Sequence, residues 1–212
     1  MKPNIQTAGK TFDYLKDPEL RKKERGTAPL LVKGFEISGV QFHKLDWHNV
    51  QFVNCDFAGG YEIKLSTLER CVFEDCRFAG IIAWGVAKDV LFSKCRTAGE
   101  SNIIDNSGSS NVRFEDCQFI GPNSDPNHWG AIGSRGDATF RNCKAEYFYL
   151  EGYAKLSLLN CDLTVVSPGT DSRANSGERY LSSAVLVEKC KLNIRFDMRA
   201  TDLESLTIRD SQ

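Results

Sequence analysis

Apolar and polar residues alternate along most of this chain in groups of five. The alternation is clearest between residues 40 and 59, where the first and third residues of each five are apolar: Val40, Phe42, Leu45, Trp47, Val50, Phe52, Cys55 and Phe57. A period of two predicts short β-strands with apolar side chains on one face, and the break after each five predicts a corner. Four fives make one unit of about twenty residues, so the pattern predicts a coil with four sides.

A longer phrase, Phe-x-x-Cys-x-Phe, marks the period of the repeat. Intact copies occupy residues 52–57, 73–78 and 114–119. Seven cysteines share its cysteine position: Cys55, Cys76, Cys95, Cys117, Cys143, Cys161 and Cys190. Successive members lie 18 to 29 residues apart. This spacing is typical of solenoids, in which each repeat buries its apolar face only against its neighbours.

The repeat is interrupted at three places, near residues 100–111, 121–136 and 166–180. Each insertion follows the five that begins with a ladder cysteine, namely Cys95, Cys117 and Cys161. Insertions at one phase of a solenoid emerge on one side, and that side is often the binding face. The sequence therefore predicts that function lies on a loop-bearing side.

The two ends of the chain differ from the repeat. Residues 1–34 form a predicted cap, in which Asp17 and Pro18 are typical of the start of a short helix that would cover the first turn. The fives continue to residue 210, and residues 211–212 stop within a turn. Two explanations stay open: the chain belongs to a longer protein, or its last turn stacks on a second copy in an end-to-end homodimer.

Charge and hydropathy exclude several classes of partner. The net charge is −1; residues 1–33 carry 8 − 4 = +4 and the rest carry 19 − 24 = −5. Neither part has the strongly basic character of a nucleic-acid-binding protein, so direct nucleic-acid binding is not predicted. No apolar stretch approaches the ~18–20 residues of a membrane span, and the first residues lack the apolar core of a secretory signal. A cytoplasmic location is therefore expected.

The eight cysteines could indicate disulfides or zinc, but their arrangement favours neither. No Cys-x-x-Cys pair occurs, and seven of the eight occupy one position of the repeat. In a stacked fold that position becomes a column of small buried side chains, a common role for free cysteine. We therefore expect reduced structural thiols in a reducing compartment.

The fives at 40–59, 71–80, 112–121 and 196–210 resemble those of the pentapeptide-repeat proteins, and the resemblance covers roughly residues 35–212. It implies an all-β fold, a right-handed, four-sided parallel β-helix (solenoid) of about eight turns with a short N-terminal helical or irregular cap. The interior positions that it implies are Phe42, Trp47, Phe52, Phe57, Phe73, Phe78, Phe92, Phe114, Phe119, Phe140, Leu158, Leu163, Leu192, Leu203 and Ile208. The family favours Ala and Leu where this chain has Val, Cys and Phe, so a β-helix of the polysaccharide-lyase kind stays an alternative.

The resemblance implies binding rather than catalysis. One branch of the family resembles B-DNA in size and charge and protects DNA gyrase, and other members are parts of secreted effectors or of regulatory complexes. We predict a non-enzymatic bacterial scaffold that binds another protein in an immunity, regulatory or effector-associated role. The alternatives are a DNA mimic that protects gyrase, a carbohydrate-active enzyme, and a module of a larger effector delivered to a host cell.

The sequence predicts no catalytic residue, metal site or cofactor. His43 and His48 occupy equivalent outward positions of successive fives, and the corner between them turns their faces apart. The acidic residues of the insertions are scattered over three loops, without the grouped carboxylates that calcium needs. No histidine shares the phase of the cysteines, which is unfavourable for a Cys–His nucleophile.

Aromatic residues near the insertions are the best candidates for a binding surface. Consecutive aromatics at 147–149 force at least one side chain outward, directly after the second insertion. The candidate contact residues, which have the composition of an interface core, are Trp84, His128, Trp129, Arg135, Tyr147 and Tyr149. An alternative stays open, that these aromatics only fix the insertions to the flank of the solenoid.

Overall fold

The computed structural model describes residues 9–37, 42–57, 63–105, 109–121, 130–133, 136–151, 155–167, 183–196 and 203–212. Two helices come first, α1 (Lys10–Lys16) and α2 (Pro18–Arg25). The strands are β1 (Leu30–Lys33), β2 (His43–His48), β3 (Val50–Val53), β4 (Asp56–Phe57), β5 (Ile63–Glu69), β6 (Val72–Glu74), β7 (Arg77–Ser93), β8 (Arg96–Asp105), β9 (Ser110–Glu115), β10 (Gln118–Ile120), β11 (Gly130–Gly133), β12 (Asp137–Arg141), β13 (Lys144–Glu151), β14 (Lys155–Leu159), β15 (Asp162–Ser167), β16 (Ser183–Glu188), β17 (Lys191–Phe196) and β18 (Leu203–Arg209).

The strands stack in parallel, each on the strand one turn further along the chain. One side of the coil consists of β1, β3, β6, the end of β7, β9, β12, β14, β16 and β18, paired in that order. Parallel pairing between consecutive turns defines a β-solenoid, so the predicted all-β solenoid is confirmed. Its right-handed sense and its count of eight turns stay predictions. The predicted boundary between cap and solenoid at residue 34 also stays a prediction, although β1, which precedes it, already pairs with β3.

Stacked aromatic rings fill the interior beneath this side. Phe52, Phe73, Phe92, Phe114 and Phe140 stack in succession, with ring centroids 4.6–4.9 Å apart and interplanar angles of 6–10°. Each of the five is at most 2% exposed. Aromatic pairs of this kind contribute about 0.5–1.5 kcal/mol beyond their burial, so the column ties consecutive turns together.

The last turn departs from the predicted interior. Ile208 follows Val187 in register but is 52% exposed, because β18 pairs with β16 on one side only within the described residues. Leu192 is partly buried against the core. The prediction that Ile208 is an interior residue is therefore wrong for this chain by itself.

Polar residues with left-handed backbone form the corners. The residue before each ladder cysteine has φ between 48° and 55°, as does the residue before Ser211: Asn54, Asp75, Lys94, Asp116, Asn142, Asn160, Lys189 and Asp210. Asn and Asp tolerate this region better than other non-glycine residues. The Asn160 amide donates to Asn142 Oδ1 (2.9 Å), and the Asn142 amide donates to Asp116 Oδ1 (3.0 Å). The corner thus has its own side-chain ladder.

The N-terminal helices cover the first turn, as the sequence predicts. The Asp17 carboxylate accepts a hydrogen bond from the Leu20 backbone N–H (2.9 Å), and Pro18 follows as the first residue of α2. Leu15 is buried, and its carbonyl accepts a hydrogen bond from Trp47 Nε1 (3.1 Å). The cap is therefore packed on the solenoid by both apolar contact and hydrogen bonding.

Candidate functional site

The three predicted insertions border one side of the solenoid, at two different corners. The β10–β11 connection precedes the strand segment of that side (130–133), whereas the β8–β9 and β15–β16 connections follow the equivalent segments (102–104 and 165–167). They join β8 to β9, β10 to β11, and β15 to β16, and each of β8, β10 and β15 begins directly after a ladder cysteine. The strand segments on this side pair in parallel: 102–104 with 131–133, 130–133 with 148–151, and 149–151 with 165–167. We call this surface the loop-bearing side.

The structure places two of the candidate contact residues on or beside this side. Tyr147 and Tyr149 belong to β13, and Tyr149 pairs in register with Ala131 and Val165. His128, Trp129 and Arg135 lie outside the described residues. The contact that these residues would make stays a prediction.

Trp84 does not belong to an outer surface. It pairs in register with Leu65, which is also buried, and is itself only 3% exposed. Its ring stacks on Phe92, with 6.0 Å between the ring centroids. Assigning Trp84 to the binding surface was wrong, because its strand position points the indole into the core.

The ladder cysteines are free, buried and hydrogen-bonded to the main chain. Each thiol donates to the carbonyl two residues earlier at 3.3–3.5 Å. Most also donate to a carbonyl of the previous turn; Cys117, for example, reaches Phe92 O at 3.4 Å. The carbonyl two residues earlier also accepts a backbone N–H of the previous turn, as Glu115 O does from Lys94 N–H at 2.9 Å. The thiol thus adds a second hydrogen bond at each corner, which is a structural role.

Ser211 extends this ladder by one position, which the sequence analysis missed. Its hydroxyl donates a hydrogen bond to Arg209 O, two residues earlier (2.8 Å), as each ladder thiol does to the carbonyl two residues before it. The same hydroxyl accepts a hydrogen bond from the Cys190 N–H (3.0 Å). The sequence does indicate this ladder position, because Ser211 stands five residues after Leu206 and begins the next five.

Burial and hydrogen bonding raise the pKa of Cys71 and Cys161, whereas hydrogen bonds from neighbouring ladder thiols lower the pKa of Cys76 and Cys117. Cys71, which lies at the preceding corner, donates to Trp47 O (3.3 Å), and burial raises its pKa to about 12. The pKa of Cys161 is also raised to about 12, first because its thiol donates a hydrogen bond to Cys143 and also because it is buried. A nucleophile or metal ligand needs the thiolate, so Cys71 and Cys161 are poorly suited to either role.

The described surface carries two grooves. One, of about 420 Å³, follows the ladder corner near its C-terminal end and is lined by residues such as Asn142, Lys144, Asn160, Asp162 and Lys189. The other, of about 320 Å³, lies between the helical cap and the first turn. Sequence reasoning did not find this second groove, because it depends on how the cap packs.

Within the described ranges, no three His, Cys, Asp or Glu side chains are grouped closely enough to hold a metal ion. In the same part of the chain, no helix has the length and apolar character of a membrane span.

These pairings define the class of the protein as a parallel β-solenoid with a helical cap. No protein-family model matches the chain, and no curated protein matches it. Among solved structures it is similar to a trypsin-treated form of QnrB1, described as a plasmid-mediated fluoroquinolone resistance protein. The identity is 18% over 87% of this chain and 91% of that one, with a TM-score of 0.31. Such a score is too low to support a family or a function, so the fold assignment rests on the strand pairings.

Proposed function

We propose that this chain is a non-enzymatic scaffold that binds another protein through its loop-bearing side. The observation that carries the proposal is that three insertions border one side, β10–β11 at the start of its strand segment and β8–β9 and β15–β16 at its end. Loops held by a regular framework are the usual carriers of recognition.

The framework suits this role because it is rigid. Its interior is occupied by stacked rings, and Phe52 and Phe140 are 0% exposed. Close-packed interiors deform little, so the attachment points of the insertions keep a fixed spacing. A partner would then meet insertions whose attachment points are held at fixed positions.

Aromatic residues and arginine near these attachment points favour a protein partner. Trp129, Arg135, Tyr147 and Tyr149 are the residue types that contribute most to protein–protein interfaces. Reduced, buried thiols favour a reducing compartment such as the cytoplasm. An immunity, regulatory or effector-associated role belongs to the same proposal.

The charges along one side offer little support for DNA mimicry. The residues after the ladder cysteines align in register and include four basic and two acidic side chains: Asp56, Arg77, Arg96, Gln118, Lys144, Asp162 and Lys191. A DNA mimic requires a dominantly negative surface, so the scaffold proposal does not include it.

The test is affinity capture from the native cell, followed by binding measurements with the purified partner. The double substitution Trp129→Ala, Arg135→Ala is expected to weaken binding at least about tenfold, as for hot-spot residues. The control is Arg113→Ala, which removes an exposed arginine from β9 on another side. Unchanged affinity in the double variant, or an equal loss in the control, would remove the loop-bearing side from the proposal.

A further inference from the structure

We propose that the groove between the helical cap and the first turn binds a small planar molecule that carries a phosphate or carboxylate group. We call it the cap groove. Its lining includes Tyr14, Arg21, Lys22, Trp47, His48 and Arg70. This site is separate from the loop-bearing side and does not depend on the proposed scaffold function.

Arg21 is the first reason to expect an anion. It is 8% exposed, and its described hydrogen-bond partners are all backbone carbonyls: His48 O at 2.6 Å, Asn49 O at 2.8 Å and Ala28 O at 3.0 Å. Its buried Nε has no hydrogen-bond partner among the residues that the structure describes. A buried cation without a counter-charge is unfavourable, and burial accordingly lowers the pKa of Arg21. An anion in the groove would supply the missing charge.

The neighbouring polar side chains are already oriented. His48 Nδ1 lies 3.0 Å from Glu69 Oε2, which leaves Nε2 available to a ligand. Arg70 donates through Nε to Asn49 Oδ1 (2.9 Å) and also pairs with Glu69. Side chains held in this way lose little freedom when a ligand binds.

The groove also contains two carboxylates and an apolar wall. Glu19 and Asp46 line it together with Arg21, Lys22 and Arg70, and Arg70 already pairs with Glu69, so the charges of the groove are nearly balanced. This balance fits a ligand with one anionic group better than a polyanion. Tyr14 and Pro18 supply apolar surface, and about 320 Å³ lies at the lower end of ligand pockets, which suits a single-ring ligand.

The experiment uses the full chain with phenyl phosphate and inorganic phosphate as probes, in calorimetric titrations at pH 7. Chloride keeps the ionic strength constant, and acetate tests the carboxylate alternative. Lys22→Gln is expected to weaken phenyl phosphate about tenfold, because it removes a charge-assisted contact. Lys23→Gln is the matched control, since Lys23 is an exposed neighbour in α2 that does not line the groove. Phenyl phosphate should bind more tightly than inorganic phosphate because of the apolar wall.

Two further results decide the proposal. Arg21→Lys keeps the charge but loses the carbonyl contacts, so it should weaken both the cap and the binding of phenyl phosphate. The double variant Trp129→Ala, Arg135→Ala should bind the probe like the unmodified chain, which separates this site from the loop-bearing side. The proposal would be overturned if none of the probes bound at millimolar concentration. It would also be overturned if Lys22→Gln and Lys23→Gln bound phenyl phosphate with equal affinity.

Discussion

At the scale of single residues, the ladder position requires a small side chain that can donate one hydrogen bond. Cys117 is 1% exposed and donates to Glu115 O at 3.3 Å. Ser211 makes the equivalent bond with a hydroxyl. The position therefore selects for size and donor capacity rather than for thiol chemistry, which explains why serine replaces cysteine at one turn.

Substitutions of Cys117 should separate these two requirements. Cys117→Ser keeps the donor, and we expect it to lower the free energy of unfolding by no more than about 1 kcal/mol. Cys117→Leu overfills a packed corner and removes the donor, so a loss of about 2–4 kcal/mol is expected. Urea unfolding under reducing conditions measures both. Equal tolerance of leucine and serine would show that the corner is not close-packed.

Single residues also show where the sequence was insufficient. The interior positions of Phe52 and Phe73 follow from alternation, because the fives are intact there. Trp84 lies in β7, a strand of 17 residues that runs through several fives without an evident break, so only the register with Leu65 reveals its direction. Arg21 reaches carbonyls 27 and 28 residues away, a contact that no local pattern encodes.

At the scale of elements, the corners determine how each strand meets the next. Asn142 and Asn160 combine a left-handed backbone with a side-chain bond to the turn before, whereas Lys94 occupies the same conformation at φ 53°. The left-handed region is unfavourable for lysine, because its Cβ comes too close to the following carbonyl oxygen. The period of five locates these corners in the sequence, but it does not show which residues have positive φ.

Replacing Lys94 should therefore stabilise the solenoid. Lys94→Asn is expected to raise the free energy of unfolding by about 0.5–1 kcal/mol, because asparagine tolerates the left-handed region and can donate toward Asp75. Urea unfolding measures the change. The control is Arg96→Asn at an exposed position of β8. Asparagine is unfavourable in a strand, so this control should lose stability. A loss in Lys94→Asn would contradict the account of the corner.

At the scale of the whole molecule, the solenoid depends on turns that stack on one another. The ladder thiols form one column as a result of that stacking. The sequence predicts the column because the period keeps the cysteines in phase over seven copies. It does not predict the loop-bearing surface in detail, since the insertions lack the alternation that places side chains inside or outside. The fold can thus be read from periodicity, whereas the binding surface cannot.

At the scale of the whole chain, the Cys71 thiol should make folding less favourable above pH 9, because it ionises more readily when unfolded. The pKa of Cys71 is raised from 9.0 to about 12 by burial. The unfolded chain therefore loses this proton first, so the contribution of Cys71 to the free energy of unfolding is fully present below pH 9 and falls as pH rises from 9 toward 12. At pH 10 one such thiol accounts for about 1.4 kcal/mol. Urea unfolding of the reduced chain at pH 8, 9 and 10 should show this fall, and Cys71→Ser, which keeps the donor but does not ionise, should reduce its slope by the share of one thiol. An identical slope in Cys71→Ser would show that the Cys71 thiol does not titrate differently in the folded and unfolded chains.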